Sequence, residues 1–171
     1  IQRANGTYKA LSSVKDVKKL CSTLENGFAI DLETTSLDIQ QAQIVGVAIS
    51  AADQEGIYIP LNQYLNEQEI GAQPMLLFQA FQSPSDSTPS KNPHLFSSNP
   101  ILEILKPILE NPDIPKITHN GKYEIGVLWN YGITLKGIQF DTMLGAYLCY
   151  PGERVGLKAL AQRLYHHHMT D

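Results

Sequence analysis

Asp31 and Glu33 stand two residues apart in the stretch GFAIDLETTSLD, residues 27–38. The apolar residues around them, Phe28, Ala29, Ile30 and Leu32, read as a short buried β-strand. Side chains at i and i+2 of a strand share a face. Two carboxylates therefore stand side by side on a core element, where burial strengthens their repulsion. Divalent cations such as Mg²⁺ or Mn²⁺ take oxygen ligands and cancel that repulsion. Two such ions about 3.5–4 Å apart clamp a phosphodiester during in-line attack. The bland alternative makes Glu33 the solvated end of the strand.

A third acid lies in KITHNGKYEIGVLWNYGI, where Glu124 follows Asn120 by four residues. A strand-to-helix turn places Asn120 at the turn and Glu124 on the first helical turn. Ile125, Leu128 and Trp129 are expected to form the apolar stripe, and Glu124, one turn before Leu128, reaches inward. The alternative is a first-turn acid favoured by the helix dipole. His119 and Lys122 flank Asn120 within reach of a phosphate. Asp141 precedes an apolar helical pattern and reads as an N-cap.

The elements that must position these residues fit one domain. The 171 residues are 43% hydrophobic and 18% charged, ordinary for a soluble globular chain. No apolar run approaches the roughly 20 residues of a membrane span, and no signal peptide is evident, so an intracellular, cytoplasmic setting without membrane contact is expected. Two cysteines, Cys21 and Cys149, indicate neither a disulfide framework nor a cysteine zinc site. The net charge of −4 gives no global basic signature, so any nucleic-acid contact must be local or bridged by cations.

SSVKDVKKLCSTLEN carries a capping pair, Ser13 and Asp16, and an apolar stripe of Val14, Val17, Leu20, Cys21 and Leu24. FAIDLE, QIVGVAISAA and GIYIPL read as an antiparallel meander joined by tight turns. Residues 82–100 hold six Ser and four Pro and read as a surface insertion. Asn99 and Pro100 look like the N-cap and first residue of the helix ILEILKPILEN, with a kink expected at Pro107. PKITHN and LKGIQF are further strands; GKYEIGVLWNYG, TMLGAYLCY and VGLKALAQRLY are helices. The pattern predicts an α/β fold: a mixed sheet layered with helices.

In FAIDLETTSLD, THNGKYEIGVLWNYGI and LKGIQFDTMLGAYL the chain resembles the 3′→5′ proofreading exonuclease domain of family A DNA polymerases, the bacterial DNA polymerase I type. The likeness runs from about residue 12 to the end. It implies a ribonuclease-H-like, mixed five-stranded sheet flanked by helices, and one exonuclease domain over residues 1–171. It implies two divalent metal ions, Mg²⁺ or Mn²⁺, bridged by Asp31, with Glu33 on one and Glu124 serving the other. The family has aspartate at the last position; glutamate keeps the charge and adds a methylene. The resemblance further implies Thr34, Leu37 and Asn120 as DNA-binding residues, Leu37 packing against the terminal base. The implied partners are a single-stranded DNA 3′ end and a polymerase domain in the same full-length chain.

The family's third motif, Tyr-x-x-x-Asp, has no counterpart in these residues, so the chain reads as a fragment that is weak or inactive alone. His166 and Asp171 imitate a His-x-x-x-x-Asp motif, but YHHHMTD aligns better as a connecting loop. Two function classes stand open: the metal-dependent exonuclease, and a catalytically degenerate scaffold supporting the polymerase. A standalone RNA-processing exonuclease is the weaker third.

Overall fold

A computed structural model of the chain describes residues 6–53, 55–61 and 99–169. Its elements in order are β1 (Thr7–Ala10), α1 (Val14–Cys21), β2 (Phe28–Thr34), β3 (Ile44–Ser50), β4 (Glu55–Pro60), α2 (Pro100–Glu110), β5 (Lys116–Thr118), α3 (Gly121–Trp129), β6 (Ile138–Asp141), α4 (Thr142–Cys149) and α5 (Leu157–Tyr165). The strands form one mixed sheet in the order β1-β4-β3-β2-β5-β6. β2, β3 and β4 pair antiparallel, as the meander predicts, while β5 joins β2, β6 joins β5, and β1 joins β4 in parallel. The meander's first connection spans residues 35–43, longer than the tight turn expected.

Among the described residues the sheet has six strands instead of five. The extra one, TYKA, is a short edge strand with every residue exposed, so it carries no inside-outside alternation to announce it.

Local sequence explains the helix starts. Ser13 caps α1, its hydroxyl oxygen accepting from the Asp16 N–H at 3.1 Å while its hydrogen goes to the Asp16 carboxylate at 2.7 Å. The Asp16 side chain thus meets the Ser13 side chain, one methylene too short to serve as a Glu would. Asn99 caps α2 through the Ile101 N–H at 2.8 Å, with Pro100 as first helical residue. Those two residues thus belong to the helix start; residues 82–98 of the Ser/Pro-rich stretch lie outside the described residues. α2 runs continuously through Pro107.

One face of the sheet is packed. Ile30, Leu32, Val47, Ile49 and Ile59 meet Val17, Leu20 and Leu24 of the α1 region, Ile101, Leu102, Leu105 and Leu109 of α2, and Val127 and Leu128 of α3 in a single core. Lys116 is fully buried beneath it. Its Nζ reaches the Asn111 carbonyl at the end of α2, and burial lowers its pKa.

Candidate active site

β2 alternates as its sequence dictates, with Ile30 and Leu32 inward and Ala29, Asp31 and Glu33 on the opposite face. Across the β2–β3 ladder Asp31 faces Ala48 and Glu33 faces Gly46. Ala48 leaves open space beside Asp31, while the Tyr58 ring lies over Gly46, where a Cβ would collide with it. That face forms an open trough of about 670 Å³ bordered by Ala29, Asp31, Ala48, Tyr58, Ile117 and His119. The ladder shifts register between Glu33 and Thr34, so the strand leaves its alternation just past the acids.

Glu124 arrives from the other side of the β2–β5 seam. α3 begins immediately after β5, and its buried face carries Gly121, Glu124, Val127 and Leu128. Here the expected stripe is corrected. Leu128 is buried, but Ile125 and Trp129 are 44% and 53% exposed, and Glu124 takes the inward position at 2%. The helix is apolar nearly all round, so its sequence does not declare a face. Residues 124, 127 and 128 fall together at helical spacing once position 121 is set against the sheet.

The buried Glu124 carboxyl lies against the Asp31 carboxylate, close enough to share a proton with it. Burial, with the charges of Asp31 and Asp141, pushes the Glu124 pKa up to about 8. Burial and the neighbouring Glu33 also raise Asp31, against the opposing pull of His119 and the Glu124 hydrogen bond. The proton therefore resides on Glu124, donated toward Asp31. Glu124 Oε2 is buried where no N–H or O–H donor reaches it. Glu33 is exposed beside them.

This donor set fits a hard divalent cation. It offers oxygen atoms, a repelling pair that only a proton now relieves, and a buried carboxyl oxygen that no donor reaches. Asp31 and Glu124 converge while Glu33 faces solvent, and among the described residues no three acidic, imidazole or thiol groups are gathered closely enough to enclose an ion.

The other expected residues sit around this pair. The Thr34 hydroxyl lies 2.5 Å from the Tyr123 hydroxyl, and both reach the Ser36 carbonyl. This tie between β2, the following loop and α3 was not anticipated, since Tyr123 carries no motif signal of its own. Leu37, one residue beyond that knot, is 92% exposed. Asn120 occupies the turn in the left-handed region at φ 77° and ψ 45°, its side chain making no capping bond. Asp141 caps α4 as read from the sequence. His166 is an exposed residue ending α5, and Asp171 lies outside the described residues. Tyr147 is exposed and Tyr150 half-buried beneath the Arg163 guanidinium at 4.0 Å.

A family model described as 3′-5′ exonuclease matches residues 8–171. The chain is 34% identical over 123 residues to DNA polymerase I of Pseudomonas aeruginosa, across 70% of this chain and 11% of that protein. It thus spans a small part of the length of the curated relatives it matches. The solved POL domain of Pol1 from M. smegmatis, in complex with DNA primer-template and dNTP, is similar at TM-score 0.62 and 25% identity, over 95% of this chain and 23% of that one. Brucella melitensis NrnC with bound Mg²⁺ is similar at TM-score 0.55 and 16% identity, over 98% of this chain and 65% of that one, a likeness of fold alone. The mixed sheet with flanking helices is the ribonuclease-H-like arrangement the sequence implied, with one added edge strand. No helix among the described residues is long and apolar enough to cross a membrane.

Proposed function

The chain belongs to the 3′-5′ exonuclease family found in DNA polymerase I, and on that footing we propose that it takes a single-stranded DNA 3′ end and serves hydrolysis of the terminal phosphodiester. The observation that carries this reading is the Asp31–Glu124 pair: two acids from separate elements, brought together with a buried Glu124 oxygen that no donor reaches. A structural role does not require such a pair, since replacing both acids by apolar groups removes the cost of burying them.

Asp31, Glu33 and Glu124 would hold two divalent ions, Mg²⁺ or Mn²⁺. Bound there, the ions lower the pKa of a water and offset charge on the phosphate oxygens. The chain's own residues do the rest. Glu124 would release to solvent the proton it shares with Asp31, leaving both carboxylates to serve as ligands. Leu37 offers an apolar surface to the terminal base. The Tyr123–Thr34–Ser36 knot holds the loop that presents Leu37 beside Glu33. Asn120, fixed in its left-handed turn, presents an amide to the strand. A polymerase domain in the same polypeptide is the proposed partner.

The test is a single-stranded DNA with 2-aminopurine at its 3′ terminus, titrated with the protein in Mn²⁺ and followed by fluorescence, with released nucleotides resolved on a gel. Binding that needs a free 3′ hydroxyl and Mn²⁺, and is lost in Asp31→Ala, is the expected result. Binding indifferent to Asp31 and to the 3′ end would overturn the assignment. Absence of any binding would leave the chain a scaffold.

A further inference from the structure

Asp141 does more than cap its own helix. Its Oδ1 accepts from the N–H groups of Met143 at 2.9 Å and Leu144 at 3.2 Å, which is the capping read from the sequence. The same carboxylate reaches twenty residues back. Oδ1 also accepts from Asn120 N–H at 3.2 Å, and Oδ2 from Gly121 N–H at 2.7 Å. One side chain thus satisfies the starts of two helices, α4 and α3. These four bonds outweigh the effect of burial and hold its pKa below the ordinary carboxylate value.

α3 needs this help because it has no cap of its own. Asn120 holds a left-handed conformation, which is strained for a residue with a Cβ and is tolerated best by Asn or Asp after Gly. Gly121 follows where a Cβ would meet the Thr118 hydroxyl oxygen and come within 3.3 Å of Asp141 Oδ2. The next residues repeat the tie. The Thr142 hydroxyl donates to the Thr118 carbonyl at 3.1 Å and therefore accepts from His119 Nδ1 at 2.7 Å. In that arrangement His119 Nδ1 carries a proton. The ends of β5 and β6 and the starts of α3 and α4 are thereby knotted together, and Glu124 lies three residues past Gly121 on the turn so fixed.

We infer that Asp141 is a positioning residue for the acid pair: by holding Asn120 left-handed and docking the first turn of α3, it sets Glu124 against Asp31. The inference rests on the metal-holding reading of that pair.

The experiment uses the 171-residue chain and NMR. Side-chain NOEs between Glu124 and Asp31 are recorded without metal; Mn²⁺ is then added and the concentration that half-broadens both residues is measured. In Asp141→Ala the NOEs should vanish and the half-broadening concentration rise about 10-fold, the scale on which partners of metal ligands act. Adding Asn120→Gly, which removes the cost of the left-handed turn, should restore the NOEs and most of the affinity. Asp141→Asn keeps one acceptor oxygen, loses the acceptor for Gly121, and serves if the alanine variant does not fold. NOEs and Mn²⁺ affinity unchanged in both single variants would reduce Asp141 to a helix cap. Wild-type NOEs without Mn²⁺ broadening would instead fell the metal reading while the positioning result stood.

Discussion

Ile30 and Leu32 are 3% and 6% exposed in the core, while Asp31 and Glu33, alternating with them on the same seven-residue strand, look out over Ala48 and Gly46. One strand therefore carries both the burial that anchors the sheet and the charges that burial opposes. Apolar contact across the packed face is what makes β2 rigid enough to hold two acids at a fixed separation on the other. Ala48, opposite Asp31, borders the open trough, whereas the Tyr58 ring covers Gly46 opposite Glu33. The two faces should accordingly respond in opposite ways to substitution.

Leu32→Ala gives the largest effect expected. Removing a buried leucine leaves a cavity and costs about 3 kcal/mol. Urea denaturation should show that loss, while Mn²⁺ broadening at Asp31 persists in the molecules that remain folded. If metal affinity falls as far as stability does, the two faces are not separable.

Glu124→Gln sharpens the comparison from the other side. The Glu124 pKa lies at about 8 in the folded chain against an ordinary 4.5. Between these values the folded state keeps a proton that the unfolded chain has released, so stability falls as pH rises through this window. The raised pKa of Asp31 acts in the same direction. Glutamine is neutral throughout and removes the Glu124 share. The variant should gain on wild type by about 2 kcal/mol on going from pH 6 to pH 8 in denaturation experiments. It should also bind Mn²⁺ more weakly. Parallel stability curves for the two proteins would show that Glu124 is not a buried, proton-holding acid.

Two asparagines show what the sequence made legible. Asn99, followed by Pro100, caps α2 with its own side chain from an extended backbone, and the dipeptide alone was enough to predict it. Asn120 also precedes a helix, yet its backbone is left-handed and its cap is borrowed from Asp141. Local signals such as alternation in β2, the Ser13 cap and the Asn-Pro start need only neighbours in sequence, and they predicted most elements correctly. β1 escaped because an exposed edge strand has no burial pattern to display. On α3, Glu124 and Leu128 turn inward as expected, but Ile125 and Trp129 do not, because the face is chosen by docking and not by apolar spacing alone. The site divides in the same manner: the i, i+2 geometry placed Asp31 and Glu33, whereas the meeting of Glu124 with Asp31 and the knot of Asp141, Thr142 and His119 depend on contacts between distant segments. Asn99→Ala should cost about 1 kcal/mol in thermal denaturation, the usual value of a lost side-chain cap. Asn120→Gly should be neutral or slightly stabilising, because its side chain caps nothing and glycine suits the turn.

The smallest effect on stability belongs to Leu37. With 92% of its surface exposed, it has almost no burial to lose, and Leu37→Ala should shift the unfolding free energy by no more than about 0.5 kcal/mol. A large apolar side chain standing in water gains something only when a ligand covers it. Stacking or packing against a nucleobase is worth roughly 1–3 kcal/mol per base. Affinity for the 3′-terminal 2-aminopurine strand should therefore drop about 10-fold, while the same variant melts at the wild-type temperature. The Thr34–Tyr123–Ser36 ties hold the loop from behind and do not involve the Leu37 side chain, so its removal should leave Mn²⁺ broadening at Asp31 unchanged. A loss of DNA affinity confined to the base contact, with metal binding and stability intact, would separate strand recognition from metal holding within a few residues of one strand end. Undiminished affinity would mean that the terminal base lies elsewhere on the open face.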